Sequence, residues 1–329
     1  AVGLIGSDRT PDKIITEKSV ENALRVLLAI GGSTNAIIHL TAIAGRAGIP
    51  ISLDRLNELS DTTPVLVNLK PTGANYMEDF FAAGGVGAVL REIKDSLHLD
   101  CLTITGETLG ERLAADDGWV DHDVVASASN PIEPVGGLVA LFGSLAPKGP
   151  ILKRSAADEK LFEGEGRAVV FDSLEDMAKR IDDPNLDVNP DDYLVLQNAG
   201  PFSASCMPEA GYIPIPKKLA SKGIKDMVRL SDARMSGTAF GTVILHITPD
   251  TASGGPLAFV RNGDRIRLSV RNRAIDLLVS PEELAKRKAA AGPFKPPVPE
   301  RGYGKLYAQE ILGADEGCDF KFLKPSKDA

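Results

Sequence analysis

Residues 226–247 read DMVRLSDARMSGTAFGTVILHI. Two β-type runs, DMVRL (226–230) and TVILHI (242–247), enclose a segment dense in small polar side chains. Comparable runs recur around it: LVALFG (138–143), RAVVF (167–171), YLVLQ (193–197), LAFV (257–260), RIRLSV (265–270) and AIDLLV (274–279). Asn262-Gly263 between the LAFV and RIRLSV runs is a tight-hairpin signal. Many short strands with few helices predict a closed or nearly closed β-barrel-like domain. A helix is expected over PEELAKRKAAAG (281–292), followed by a Pro/Gly-rich segment.

The first third has a different texture. Thr16 or Ser19 is placed to cap a helix through SVENALRVLLAI (19–30), whose apolar positions share one face. Gly31-Gly32 ends it. Ser33, Thr34 and Asn35 then offer N-caps for a second helix, closed by Gly48 and Pro50. VLVNL (65–69) reads as a short buried strand. YMEDFFAAGG (76–85) and VGAVLREIKDSL (86–97) read as helical. A turn-rich stretch at about 116–137 reads as a boundary. The fold class is therefore α/β.

A length of 329 residues suits two domains. The net charge of −8 gives no reason to expect nucleic acid or an anionic membrane as partner. Three separated cysteines, Cys101, Cys206 and Cys318, include no CxxC pair, which argues against a zinc knuckle or a disulfide framework. A reducing cytoplasm is the expected compartment. No apolar run reaches membrane-span length, and AVGLIGSDRT at the start lacks the pattern of a signal peptide. The four histidines show no HxH or HExxH spacing.

Each candidate site has a plainer reading beside it. GGSTN (31–35) exposes backbone N–H groups at a helix start, a place for a carboxylate or phosphate, and is equally a capped turn. Glu209, fixed between Pro208 and Ala210, offers the oxygen that a hard divalent cation prefers, or is a solvated loop acid. Cys206 is a nucleophile or a small hydrophobe. In SDARMSGTAFG, Gly237 would permit positive φ and close approach to a ligand. Ser236 acts as base or nucleophile only beside a metal or a cation such as Arg234. The alternative is a polar hairpin bonding its own backbone. GGVGAV (84–89) does not fit the dinucleotide fingerprint. The arginines at 261, 265, 267, 271 and 273 alternate with apolar residues and read as a solvated strand face.

Taken in order, ENALRVLLAIGGSTNAIIHLTAIAGRAGI, VNLKPTGANYMEDFFAAGGVGAVL, MPEAGYIPIPKKL and VRLSDARMSGTAFGTVILHITPDTASGGPLAFVRNGDRI resemble one family. The chain is similar to the dihydroxy-acid dehydratase / phosphogluconate dehydratase (IlvD/Edd) family, most of all to its sugar-acid branch of L-arabinonate and D-xylonate dehydratases. The resemblance covers essentially the whole chain but only the later part of a family member. It implies the end of an N-terminal α/β domain (1–134), then a C-terminal β-barrel-like domain of swivelling β/β/α type (135–329).

The resemblance also implies an activity: dehydration of a 2,3-dihydroxy sugar acid to the 2-keto-3-deoxy acid. Ser236 would be the base, with Thr238 assisting. Glu209 would bind Mg²⁺. Ser33, Thr34, Asn35 and Arg234 would bind substrate. The family's iron–sulfur ligands lie upstream and none is expected in this chain, with a 2Fe-2S cluster favoured over 4Fe-4S. This chain alone is expected to be inactive, and the assembly to be a homodimer or homotetramer. One departure stands out. Where the branch carries loops of the type GPKGAPGMPE, this chain has GPFSASCMPE, placing Phe202, Ser203 and Cys206 where a lysine and two glycines are usual. That change supports two rivals: a non-catalytic fragment or sugar-acid-binding relic, and a Cys206 thiol enzyme.

Overall fold

The computed structural model of the chain describes residues 2–115, 118–237, 239–294 and 298–325. The chain divides into two compact units: residues 1–32, 40–138 and 324–329 form the first, and residues 33–39 and 139–323 the second.

The first unit is built on helices α1 (Pro11–Ile14), α2 (Glu17–Ile30), α3 (Asn35–Arg46), α4 (Leu53–Asp61), α5 (Met77–Ala82), α6 (Gly85–Glu92) and α7 (Leu109–Ala114). The division falls within α3, after His39. Both expected cap residues of α2 act together. Thr16 accepts from the Ser19 amide and the Ser19 hydroxyl oxygen accepts from the Thr16 amide, a reciprocal box that satisfies two orphan donors. Gly31 ends α2 in the left-handed conformation, φ 62°. Ala29 of α2 packs with Leu66, Val67, Phe80, Val89 and Val125 in a buried core. The expected strand at 65–69 reduces to isolated bridges, Val65 to Glu133 and Val67 to Val125. Its partner segment comes from the turn-rich stretch and is too irregular to extend a ladder.

The second unit carries β1 (Val139–Ala140), β2 (Ile151–Leu152), β3 (Glu163–Phe171), α8 (Leu174–Arg180), β4 (Tyr193–Leu196), α9 (Lys217–Ala220), β5 (Arg229–Ser231), β6 (Val243–Leu245), β7 (Arg265–Ser269), β8 (Ala274–Leu277), α10 (Pro281–Ala291) and α11 (Gly302–Glu310). Eight strands form one sheet in the order β1-β2-β6-β5-β4-β3-β7-β8. The pairs β3–β4, β4–β5 and β5–β6 are parallel; the others are antiparallel. The two ends of the sheet meet. Phe142, just past β1, bridges Ala274 of β8 through bonds of 2.8 Å from its amide to Arg273 O and from the Ile275 amide to its carbonyl. The sheet therefore curls until its edges touch, as the strand-rich sequence predicts.

Alternation explains the core. Ala168, Val170, Tyr193 and Val195 face one cluster with Leu230, Ile244, Ile266 and Ile275. Val169, Phe171, Leu194 and Leu196 face a second with Ile213, Leu219 and Met227. β4 is buried on both faces, so its sequence is continuously apolar. In β7, Arg265 and Arg267 are exposed while Ile266 and Leu268 are buried, the solvated face that the alternation predicts.

Three local expectations are corrected. LAFV is not a strand: Pro256–Phe259 form a 3₁₀ turn, with Pro256 at its first position. Asn262-Gly263 does turn the chain, with Gly263 at φ 91°, but β7 takes β3 and β8 as partners. The segment between β5 and β6 is not a hairpin either, because those strands run parallel and the chain must cross back between them. Among the described residues no helix is long and apolar enough to cross a membrane.

Candidate active site

Parallel pairing puts the C-terminal ends of the central strands β4 and β5 on the same side of the sheet, so the loops that follow them leave together. The first carries Glu209 and the second carries Arg234 and Ser236. The start of α3, which belongs to the same unit, completes the group. Asn35 Nδ2 donates to Glu209 Oε1 at 3.0 Å, and Arg234 Nη1 reaches the same oxygen at 3.3 Å. Arg234 is held from behind: its Nε donates to Met207 O at 3.0 Å, and its carbonyl accepts from the Gly211 amide at 2.8 Å. The two loops are thus tied across the metal-ligand candidate itself.

Ser33 and Ser236 belong to neighbouring segments. A Cβ built on Gly237 would stand 3.5 Å from Ser33 Cβ and 3.6 Å from Ser33 Oγ, an ordinary contact. Gly237 does not have the left-handed backbone expected of it, so close approach rather than positive φ is what the glycine offers. Ser33 Oγ accepts from the Asn35 amide at 3.2 Å. Thr34 is buried at 1% exposure, and its Oγ1 and the Oδ1 of Asn35 lack hydrogen-bond partners among the described residues. Orphaned buried polar atoms are rare and call for a ligand or water. Ser236 is half-buried, and its carbonyl accepts from the Ala239 amide at 3.1 Å. Thr238 lies outside the described residues.

A cavity of about 230 Å³ opens beside this group, lined by Asn35, His39, Cys206, Met207, Arg234 and Cys318 among others. Cys318 donates its S–H toward Met207 Sδ at 3.3 Å, and burial pushes its thiol up to about 12. Cys206 and Met207 both stand at φ 54°, a region that costs an L-residue roughly 1–2 kcal/mol. At Cys206 the backbone therefore holds a conformation that glycine adopts without that cost.

Two buried ionisable groups behind the loops were not singled out by the sequence. Asp232 accepts from the Ala199 amide at 3.0 Å and the Thr251 amide at 2.9 Å, joining the loops after β4 and β6. Burial pushes its carboxyl up to about 6, against those hydrogen bonds. His246 has a buried Nε2 with no partner among the described residues, and burial, helped by Arg234, pushes its imidazole down to about 3. It is neutral at physiological pH. The only signal was position: a carboxylate and an imidazole, each at the edge of an apolar run, are expected outside unless paired.

Of the residues marked for chemistry, Ser33, Asn35, Glu209, Arg234 and Ser236 thus fall in one region of one unit. Among the described residues there is no group of three His, Cys, Asp or Glu side chains arranged for a metal ion.

Comparison with known proteins follows the same segments. The family model for the dihydroxy-acid/6-phosphogluconate dehydratase C-terminal region matches residues 123–318, and its N-terminal counterpart matches residues 1–112. The chain is 47% identical over 325 residues to an L-arabinonate dehydratase of Rhizobium leguminosarum bv. trifolii, covering 98% of this chain and 56% of that one. It is 45% identical over 326 residues to a 6-deoxy-6-sulfo-D-gluconate dehydratase of Pseudomonas putida, with 98% and 56% covered. A dihydroxy-acid dehydratase of Pyrococcus abyssi is 39% identical over 323 residues, with 97% and 57% covered. The chain spans about half the length of the curated relatives it matches.

Proposed function

The chain belongs to the dihydroxy-acid/6-phosphogluconate dehydratase family, and from that membership we propose that it carries the base-bearing part of a hydro-lyase acting on a sugar acid, a pentonate such as L-arabinonate or D-xylonate. The observation that supports this most is the convergence of Asn35 and Arg234 on Glu209 Oε1, with Ser33 against the Ser236-Gly237 segment.

The reaction removes the C2 proton and the C3 hydroxyl as water; the enol left behind becomes the 2-keto-3-deoxy acid. The C2 proton beside a carboxylate is weakly acidic, so the site needs a strong base and fixed charge where the enolate develops. Ser236 Oγ takes the C2 proton. A serine serves as base only when ionised, which a cation nearby favours; Arg234 stands two residues before it. The Arg234 guanidinium suits the substrate carboxylate, to which it can donate in a bidentate pair. Thr34 Oγ1 and the first-turn amides of α3 offer further donors to an anionic ligand. Thr238 assists Ser236 in the same proposal.

The donors present fit Mg²⁺: the Glu209 carboxylate and the Asn35 Oδ1, which has no partner among the described residues, are hard oxygens on two residues joined by a hydrogen bond. When bound, Mg²⁺ supplies positive charge that favours an ionised serine and an enolate-like substrate. An iron–sulfur cluster is different. Cys101 lies in the first unit and Cys206 and Cys318 in the second, and in this proposal none of them is a cluster ligand. Cluster type and a dimeric or tetrameric assembly stay within the proposal.

The test is turnover of pentonates by the full-length protein. Ser236→Ala is expected to lower kcat by about 10²–10⁴-fold, the range of a general base, with metal content unchanged. Wild-type turnover in that variant would remove Ser236 from the role. A second reading, a sugar-acid-binding relic, is favoured by the altered loop at Phe202, Ser203 and Cys206. Calorimetry showing pentonate binding by a full-length protein without turnover would establish it.

A further inference from the structure

Arg229 has the largest side chain among the fully buried residues, at 1% exposure, although it sits in β5 between apolar neighbours. A guanidinium has five N–H donors, and every one is used. Nε donates to Met227 O at 3.2 Å. Nη1 donates to Tyr212 O at 2.9 Å and Ile213 O at 3.4 Å. Nη2 donates to Asp226 Oδ1 at 2.7 Å and Phe240 O at 3.2 Å. The ring of Tyr212 lies under the guanidinium carbon at 5.0 Å.

Three of the acceptors come from two different loops, and Met227 and Asp226 lie in the segment just before β5. Tyr212 and Ile213 follow Glu209 by a few residues; Phe240 follows Ser236. Asp226 reinforces the second loop, since it also accepts from the Thr242 amide at 2.8 Å and the Thr242 hydroxyl at 2.8 Å. Gly241 allows the approach: a Cβ there would stand 1.8 Å from Arg229 Nη2. At the other end the same two loops meet through Gly211 N and Arg234 O. A buried charge kept in a core is costly unless it is fully bonded. This one is fully bonded, and three of its five bonds end on the loops of the proposed site.

We propose that Arg229 is a positioning residue: it braces the Glu209 loop and the Ser236 loop against each other and so fixes the distance between metal ligand and base. The inference rests on the dehydratase reading for its effect on turnover, but the brace itself is testable without it. Arg229 touches neither substrate nor reacting atoms. A base and a metal ligand set even 1 Å out of place lose rate steeply, because orientation supplies much of the acceleration.

The decisive measurement is hydrogen exchange on the full-length wild-type protein under increasing denaturant. The amides of Gly211, Gly241 and Thr242 are expected to open together, with one opening free energy and one denaturant dependence. Separate openings of the two loops would overturn the proposal. Arg229→Lys keeps the charge but has three donors from one point and cannot span both loops. It is expected to speed exchange at all three amides by a similar factor and to lower kcat at least tenfold, with KM for the sugar acid within twofold. Faster exchange in one loop only, or unchanged exchange with a lowered kcat, would count against the brace. If full-length protein turns over no sugar acid, the functional reading fails and the exchange result still decides the bracing.

Discussion

Asn35 Nδ2 donates to Glu209 Oε1 across 3.0 Å, which joins the GGSTN turn to the MPE loop and leaves Asn35 Oδ1 buried with no partner among the described residues. One amide thus supports the carboxylate with its nitrogen, and the space at that carboxylate is the one proposed above for a cation. If that space takes Mg²⁺, both residues govern affinity. Asn35→Ala in the full-length protein is expected to weaken Mg²⁺ binding by about 10–100-fold, the cost of removing a supporting partner from a metal site. Glu209→Gln is expected to weaken it further. Calorimetric titration with Mg²⁺ checks the order; an unaltered affinity in Glu209→Gln would exclude that residue as ligand.

The glycines flanking the two loops separate contact from conformation. A Cβ on Gly211 would meet Leu245 Cδ2 at 2.2 Å and Arg234 O at 3.0 Å, so the loop that bears Glu209 would be pushed off its neighbour. Gly211→Ala is expected to destabilise the second unit by about 1–3 kcal/mol, the usual cost of overpacking, and to lower kcat. Among the described residues Gly237→Ala meets only Ser33, at ordinary contact distance, and its stability is expected to change by less than about 1 kcal/mol. Urea midpoints of the two variants make the comparison, and equal losses would refute it.

These residues also show what a sequence exposes and what it hides. The α2 cap at Thr16 and Ser19 was legible because capping is local chemistry, written within a few residues. The alternation of β7 was legible for the same reason. The parallel pairing of β5 with β6 was not, since a short buried run looks the same in either direction. LAFV has strand composition but no free partner, because β7 is already paired on both sides. The site residues were legible as motifs. Their common region depends on α3 contributing its first turn to the second unit, which no local pattern states. Asp232 and Arg229 were hidden because burial of a charge is decided by acceptors distant in the chain.

Cys206 offers a test of the altered loop. Its φ of 54° suits glycine, and a glycine there would match the loops that this chain resembles. Cys206→Gly relieves roughly 1–2 kcal/mol of backbone cost, less about 0.5–1 kcal/mol for the freer unfolded chain. A small rise in Tm is expected, with turnover retained. Turnover abolished with the fold intact would instead favour a thiol enzyme and displace Ser236.

The pair of buried groups behind the loops makes the pH dependence specific. Asp232 is pushed up to about 6 from a usual 3.8, mainly by burial and also by Asp250. Its contribution to stability is fully present below 3.8 and is lost as pH rises through 6. His246 is pushed down to about 3 from 6.5, by burial and by Arg234. Its contribution is present above 6.5 and is lost as pH falls toward 3. Between pH 6 and 4 the two slopes oppose each other, each on the order of 1.4 kcal/mol per pH unit. From this pair alone, wild-type stability is therefore expected to be nearly flat over that range. Asp232→Asn leaves the histidine alone, and stability is expected to fall by roughly 3 kcal/mol from pH 6 to 4. His246→Gln leaves the carboxyl alone, and stability is expected to rise by a similar amount over the same range. Pulse proteolysis in urea follows the second unit, in which none of the described residues is a tryptophan. Parallel pH profiles for wild type and both variants would mean that neither group titrates between folded and unfolded states as its burial requires.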